Sequence, residues 1–285
     1  MPPSPVQITN YVAAGLAQLT SQFQKARPDP VKSLAQAAWY ADTLTAGNVS
    51  TWTDSSGKGR DLTASSGTVV AASDSRNGQR LVRFAAGTTL ATTAGVFDFL
   101  HQKDCTVIMA WRTRDYSFGA TVPLLWTSSG AASKGYRLLA DDSASKKSGL
   151  LVQISDGSTN IVNEPAATEF FVYPALVWNV SAVTHTPTRA ACSVDGIQAY
   201  VDTLAVTLPG GAAANPLTLG GARFEVAGIE IYSPALSDSA RDAAGAPLPA
   251  RANVSLLSQL AQSNRALPPP RAPYGGSSRA PRPGR

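Results

Sequence analysis

Between residues 39 and 232, short apolar and aromatic runs alternate with clusters of Gly, Ser, Asp and Asn. Runs of this length, bounded by turn residues, are the pattern of β-strands rather than of helices. The spacing predicts strands over 80–84, 105–112, 122–126, 136–140, 150–154, 159–163, 171–180, 188–194, 197–203, 216–220 and 224–232. Asp156-Gly157 and Asp195-Gly196 are tight hairpin signals, because glycine accepts the positive φ such turns require. Val96–Leu100 reads as a helical turn between strands. Many strands at this spacing suit a two-sheet antiparallel sandwich.

The ends of the chain carry a different period. Ser4, Pro5 and Gln7 form a helix start, with a cap, a first-turn proline and the capping-box spacing. Ile8, Tyr11, Val12, Leu16, Leu19 and Phe23 then fall on one face of a 3.6-residue helix that stops before Pro28. Asp29-Pro30 opens a second helix with Val31, Leu34 and Ala38 on one side. A third helix is expected over Asn253–Asn264, with Val254, Leu257 and Leu260 aligned. From Leu267 the chain is Pro, Gly, Arg and Ser, a composition that cannot bury a core by itself. The division expected is a helical segment at 1–38, a β domain at 39–245, and a linker, short helix and extended arm at 246–285.

Two stretches carry a family resemblance. Trp39 and Asp42 lead into Trp52-Thr-Asp54-Ser-Ser-Gly57-Lys-Gly59-Arg-Asp61-Leu62, and Arg83-Phe84 closes the following strand. Later, Ser193-Val194-Asp195-Gly196 and Leu219-Gly220-Gly221-Ala222 precede Phe224–Tyr232 and Leu236-Ser237-Asp238. Together these resemble the opening and closing motifs of LamG-like, concanavalin A-type jelly-roll domains over about 39–245. The resemblance implies a mainly β, two-sheet jelly roll. It does not imply an activity, since one fold hosts many functions. The helical pattern at the N-terminus is similar to the short helical starts of some bacteriophage tail-associated proteins.

Charge belongs to the tail. The chain of 285 residues has 24 Lys and Arg against 19 Asp and Glu. Arg265, Arg271, Arg279, Arg282 and Arg285 lie in a final stretch without acids, and with them set aside the 19 remaining bases match the 19 acids. A neutral body argues against a nucleic-acid-binding face. There is no apolar run long enough to span a membrane and no secretory leader pattern. Cys105 and Cys192 sit in apolar runs and read as buried free thiols; a disulfide between them is the alternative.

The common enzyme constellations are missing. The chain has four glutamates, Glu164, Glu169, Glu225 and Glu230, none with an acid two positions away, so the paired carboxylates of a glycosidase strand are lacking. His101 and His185 stand alone, without a nucleophile elbow, and His185 is expected in a loop. No cofactor is implied. Ca²⁺ has candidate ligands in Asp42, Asp54, Asp61 and Asp141-Asp142; the alternative is that these acids cap turns. Trp39, Trp52, Trp111 and Trp178 are assigned to the core. For glycan recognition the candidates are Trp126, Tyr136, Asp141 and Asp142, with Tyr116, Tyr173 and Asn160 as further candidates.

The function expected from these features is a non-enzymatic virion protein of a bacteriophage, assembled in the host cytoplasm. Its arms would hold it to other virion proteins or to copies of itself through Ile8, Tyr11, Val12, Leu16, Leu19, Phe23, Arg271, Tyr274 and Arg279. The alternative is a carbohydrate-binding adhesin with a host-surface glycan as partner; a glycoside hydrolase is the remote one. No specific nucleic acid and no membrane insertion are expected.

Overall fold

The computed structural model describes residues 35–74, 80–114, 121–141, 149–164, 178–194 and 197–237. They form two antiparallel sheets. The first contains β1 (Ala35–Tyr40), β2 (Gly47–Asn48), β5 (Val70–Ser73), β6 (Arg80–Arg83), β8 (Cys105–Thr113), β13 (Asn179–Thr186), β14 (Arg189–Val194), β15 (Ile197–Thr203) and β17 (Phe224–Tyr232). The second contains β3 (Thr51–Trp52), β4 (Leu62–Ser66), β7 (Thr89–Ala91), β9 (Val122–Trp126), β10 (Gly135–Asp141), β11 (Gly149–Ser155), β12 (Asn160–Glu164) and β16 (Thr218–Gly220). A single helical turn, α1 (Phe99–Gln102), leads into β8. This is the two-sheet sandwich of a jelly roll. No helix among the described residues is long and apolar enough to cross a membrane.

The centre of the first sheet is β17. It pairs with β8 along one edge, and with β6 and β1 on the two halves of the other. All nine of its residues are buried, which explains why it reads as a nearly continuous apolar run. Its inward residues Phe224, Val226, Ile229 and Ile231 join the core between the sheets. Its outward Ala227 and Tyr232 join a second apolar cluster with Tyr40, Leu81, Ile108 and Trp178.

Two elements depart from the expected pattern. Ala38 is not on a helix: it lies in β1, opposite Glu230 of β17. The Ala-rich run Ala35–Tyr40 favours a helix locally, but its alternate residues Ala37 and Trp39 fill the core while Ala38 and Tyr40 fill the outer cluster, and that packing prevails. Among the described residues the first strand thus starts at Ala35, ahead of the expected 39. Likewise β13, Asn179–Thr186, runs on past the expected end at 180, while residues 165–177 lie outside those described. His185 is consequently a fully buried strand residue, not a loop residue. The expected helices at 4–26 and 253–264, the Asp195-Gly196 turn and the tail also lie outside the described residues.

Four tryptophans, Trp39, Trp52, Trp111 and Trp178, are buried as expected, and each indole N–H finds an acceptor. Trp39 donates to the Arg60 carbonyl, Trp52 to the Tyr40 carbonyl, Trp111 to Ser181 Oγ and Trp178 to Asp74 Oδ2, all at 3.0–3.1 Å. The Trp52–Leu62 turn is tied by Asp54, whose carboxylate accepts from the amides of Ala38 (3.0 Å), Ser56 (2.8 Å) and Arg60 (3.1 Å) and from Ser56 Oγ (2.8 Å). Burial pushes the Asp54 carboxyl up, but these donors outweigh it and hold it below its usual value. Asp61 Oδ1 in turn accepts from the Asp54 amide at 2.8 Å.

Beside α1 lies a buried pair of histidines. His185 Nε2 donates to the Lys103 carbonyl at 3.1 Å and His101 Nε2 to the Gly211 carbonyl at 3.0 Å. Neither Nδ1 has a hydrogen-bond partner among the described residues. Burial holds His185 down to about 4, against the pull of the Lys103 and Leu100 carbonyls and with His101 adding to the depression. Burial lowers His101 too, although Gly211 and Asp98 oppose it.

Two outcomes follow. Asp54→Ala leaves three backbone N–H groups without their acceptor and is expected to lower unfolding stability by about 3 kcal/mol in urea titrations, with Asp54→Asn losing less; a change below about 0.5 kcal/mol would show that the knot holds nothing. The folded-state pKa of His185 lies below its unfolded value of 6.5, so its contribution is complete above that pH and is lost as pH falls towards 4. Between pH 7 and pH 5 that loss is about 2 kcal/mol from His185 alone, and a His185→Asn variant should show a correspondingly shallower slope. Equal slopes for the two proteins would contradict this.

Candidate functional site

Alternation along the second sheet sorts its residues onto two faces. Tyr136, Leu138 and Ala140 of β10 point into the core, as do Val152 and Ile154 of β11 and Val162 of β12. Their neighbours therefore point outward. Register places these in one row, because residues directly opposite across a ladder share a face. Trp126 of β9 lies opposite Arg137, Arg137 opposite Gln153, and Gln153 opposite Asn163. On its other side Trp126 faces Thr218, which faces Ala91, which faces Thr63. The next outward row, Pro123, Leu139 and Leu151, is apolar.

Trp126 is the fifth tryptophan of the chain and the exception among them. It is half-buried, and its indole N–H has no acceptor among the described residues. Its ring is seated on the turn after β16. A Cβ at Gly221 would stand 3.3 Å from Trp126 Cη2, 3.6 Å from Cζ3 and 3.7 Å from Pro123 Cγ, and Gly221 has φ +81°. The Gly220-Gly221 pair thus has two jobs. Gly220 approaches the Thr88 carbonyl too closely for any side chain, and Gly221 leaves room for the indole.

The polar members of the row are not fully satisfied. Arg137 Nη2 donates to Asn160 Oδ1 at 3.4 Å, while its buried Nε has no partner. Gln153 Nε2 donates to Asn163 Oδ1 at 2.6 Å, while its buried Oε1 has none. Burial alone lowers the Arg137 pKa. The row therefore brings an indole, a guanidinium and a carboxamide side by side on adjacent strands.

Of the glycan candidates read from the sequence, Trp126 and Asn160 lie at this face and Tyr136 does not. Tyr136 is 0% exposed, its ring 5.4 Å from that of His185 between the sheets. Alternation permits only one of the adjacent pair Tyr136 and Arg137 to face outward, and it is Arg137. The backbone of Asp141 ends β10 opposite Gly149, four residues and about 13 Å along the strand from Arg137. Asp142, Tyr116 and Tyr173 lie outside the described residues, as do Ile8, Tyr11, Val12, Leu16, Leu19, Phe23, Arg271, Tyr274 and Arg279. Arg137, Gln153 and Asn163 were missed, although the apolar alternation at 136–140 and 150–154 marks 137 and 153 as outward positions.

Other constellations have structural occupations. Asp54 and Asp61 accept the turn's own donors, and no group of three metal-binding side chains occurs among the described residues. On the outer face of the first sheet, Glu225 is held by Arg83 (2.8 Å) and Arg112 (2.5 Å), and Arg112 also meets Asp74 (2.9 Å) under the Trp178 ring. Glu230 accepts from the Tyr40 and Tyr232 hydroxyls. Glu225 and Glu230 are five residues apart on β17, about 15 Å, beyond the separation at which two carboxylates cleave a glycosidic bond. Cys105 and Cys192 are buried free thiols on β8 and β14 with β13 between them; two strand spacings, about 10 Å, exceed disulfide reach. Burial pushes the Cys105 thiol up to about 12, so it is not a nucleophile.

No protein-family model and no curated protein sequence matches the chain. Solved structures do resemble it. The binding domain of botulinum neurotoxin DC in complex with rat synaptotagmin II matches with a TM-score of 0.52 at 9% identity. A structure of botulinum neurotoxin type C, whose cell entry depends on interaction with two ganglioside molecules, matches with a TM-score of 0.56 at 9% identity. The binding domain of botulinum neurotoxin DC in complex with SialylT matches with 0.55 at 10% identity. Each match covers 76% of this chain and 52% of the other, so the chain spans about half the length of these structures. At such identity the likeness is one of fold.

The seat of Trp126 can be checked directly. Its four counterparts are buried, so Trp126→Phe should remove most of the indole emission that acrylamide quenches. Gly221→Ala should displace the ring and raise quenching, at a cost of about 1–2 kcal/mol for the left-handed backbone. Unchanged quenching in Gly221→Ala would mean the ring does not rest there.

Proposed function

We propose that the chain is a non-enzymatic, receptor-binding β-sandwich that recognises a saccharide on the outer face of its second sheet. The observation that carries this reading is Trp126. Four tryptophans are buried with their N–H groups satisfied, whereas Trp126 keeps contact with solvent, lacks an acceptor among the described residues and stands in register with Arg137, Gln153 and Asn163. An aromatic face beside planar hydrogen-bonding groups is the arrangement that engages both the C–H face and the hydroxyls of a sugar. The similar structures are receptor-binding domains, one in complex with SialylT, which supports the same reading. The occupied carboxylates of Asp54, Glu225 and Glu230 support a binding module over a hydrolase.

The setting we propose is a virion surface. Support for it comes from sequence: the helical pattern from Ser4 to Phe23 and the Arg- and Pro-rich stretch after Leu267, both suited to attachment within an assembly.

A glycan array with the full chain tests the central reading. Saturable binding to a defined set of saccharides is expected, with Trp126→Ala weakening it about tenfold or more, or roughly 1.4 kcal/mol, at an unchanged unfolding midpoint. Binding that survives Trp126→Ala would place the site elsewhere, and the absence of any saccharide binding would overturn the function.

A further inference from the structure

We propose that the saccharide taken by this face carries a carboxylate, and that Arg137 is the residue that reads it. This rests on the saccharide-binding role proposed for Trp126 and adds the chemical class of the ligand.

Four other arginines have charged or aromatic partners. Arg83 and Arg112 meet Glu225, Arg112 also meets Asp74, and Arg114 lies 3.8 Å from Glu225. Arg60 donates to the Gln36 carbonyl at 2.8 Å and lies over the rings of Phe97 and Phe99. Arg137 has neither kind of partner among the described residues. It makes one long bond, 3.4 Å to a neutral amide oxygen, and takes part in none of the ion pairs among the described residues. Its Nε is buried and bare. A guanidinium placed between β9 and β11, partly removed from water, costs stability unless an anion joins it. The fork of a guanidinium fits the two oxygens of a carboxylate in parallel, which a point charge does not match.

The neighbours narrow the class. Gln153 Oε1, one strand further on, is a buried acceptor with no donor, and suits a hydroxyl or acetamido N–H next to the carboxylate. Trp126, one strand the other way, offers a flat apolar surface to a sugar ring. Trp126 to Gln153 spans two strand spacings, about 10 Å, so a single acidic sugar with one further residue covers all three groups. A neutral saccharide would bury the Arg137 charge without a counterion.

The test uses the full chain and isothermal titration with matched ligands: a hexuronate oligosaccharide and its methyl ester, sialyl-lactose and lactose, and a sulfated counterpart. The acid of each pair should bind about tenfold or more tightly than its ester or neutral form, the difference shrinking with salt. Arg137→Gln should abolish the preference, and Arg137→Lys, which keeps the charge but loses the fork, should retain part of it. Should either variant fail to fold, the ester comparison on the native protein decides. Equal binding of acid and neutral forms, lost on Trp126→Ala, would overturn this inference and leave the saccharide reading intact. Preference for the sulfated ligand would overturn the carboxylate. Binding of no ligand would overturn both.

Discussion

The two-residue period of a β-strand is the constraint on which the rest of this structure depends. Every strand residue must face either the interior or the outside, and its immediate neighbours must take the other side. Between the sheets that rule collects Trp39, Trp52, Trp111, Phe84, Phe224 and Tyr136 into one core. On the outside of the second sheet it delivers Trp126, Arg137, Gln153 and Asn163 to a single row, through the register of β9, β10, β11 and β12. The site is thus a by-product of the core. The packing that pulls Tyr136, Leu138, Val152 and Ile154 inward leaves the residues between them no other direction.

The second organising requirement is that buried polar groups find partners. The indole N–H groups of the four core tryptophans do, and so do the carboxylates of Asp54, Glu225 and Glu230. Against this background the bare groups stand out. Those of His101 and His185 are buried beside α1, where burial disfavours a second proton. Those of Arg137 and Gln153 lie on the outward row of the second sheet beside Trp126. The same physical defect stands in two settings, one between the sheets and one on the side of the second sheet that carries Trp126.

Much of the fold was legible in the sequence. The Trp52–Leu62 turn and the Leu219–Tyr232 stretch announced a jelly roll, and β9, β15 and β17 have the bounds their apolar runs predict. What escaped did so for specific reasons. The β1 strand is rich in alanine, and only its pairing with β17 makes it extended. In β13, Ser181, Thr184 and His185 look like loop residues until their partners Trp111, Thr106 and the Lys103 carbonyl are seen across the sheet. At the site, Trp126 could be picked out as a candidate, but Tyr136 was chosen over Arg137. An exposed aromatic is the familiar sign of a sugar site, whereas the inward turn of Tyr136 depends on the phase of β10, which its apolar neighbours Leu138 and Ala140 set.

The most direct measurement is an NMR titration that follows the five indole N–H signals of the full chain as a saccharide is added. The account predicts that one signal, removed by Trp126→Phe, moves on binding and exchanges rapidly with solvent, while the other four stay fixed and protected. Movement of a core tryptophan in its place, or a protected and unresponsive Trp126, would contradict it.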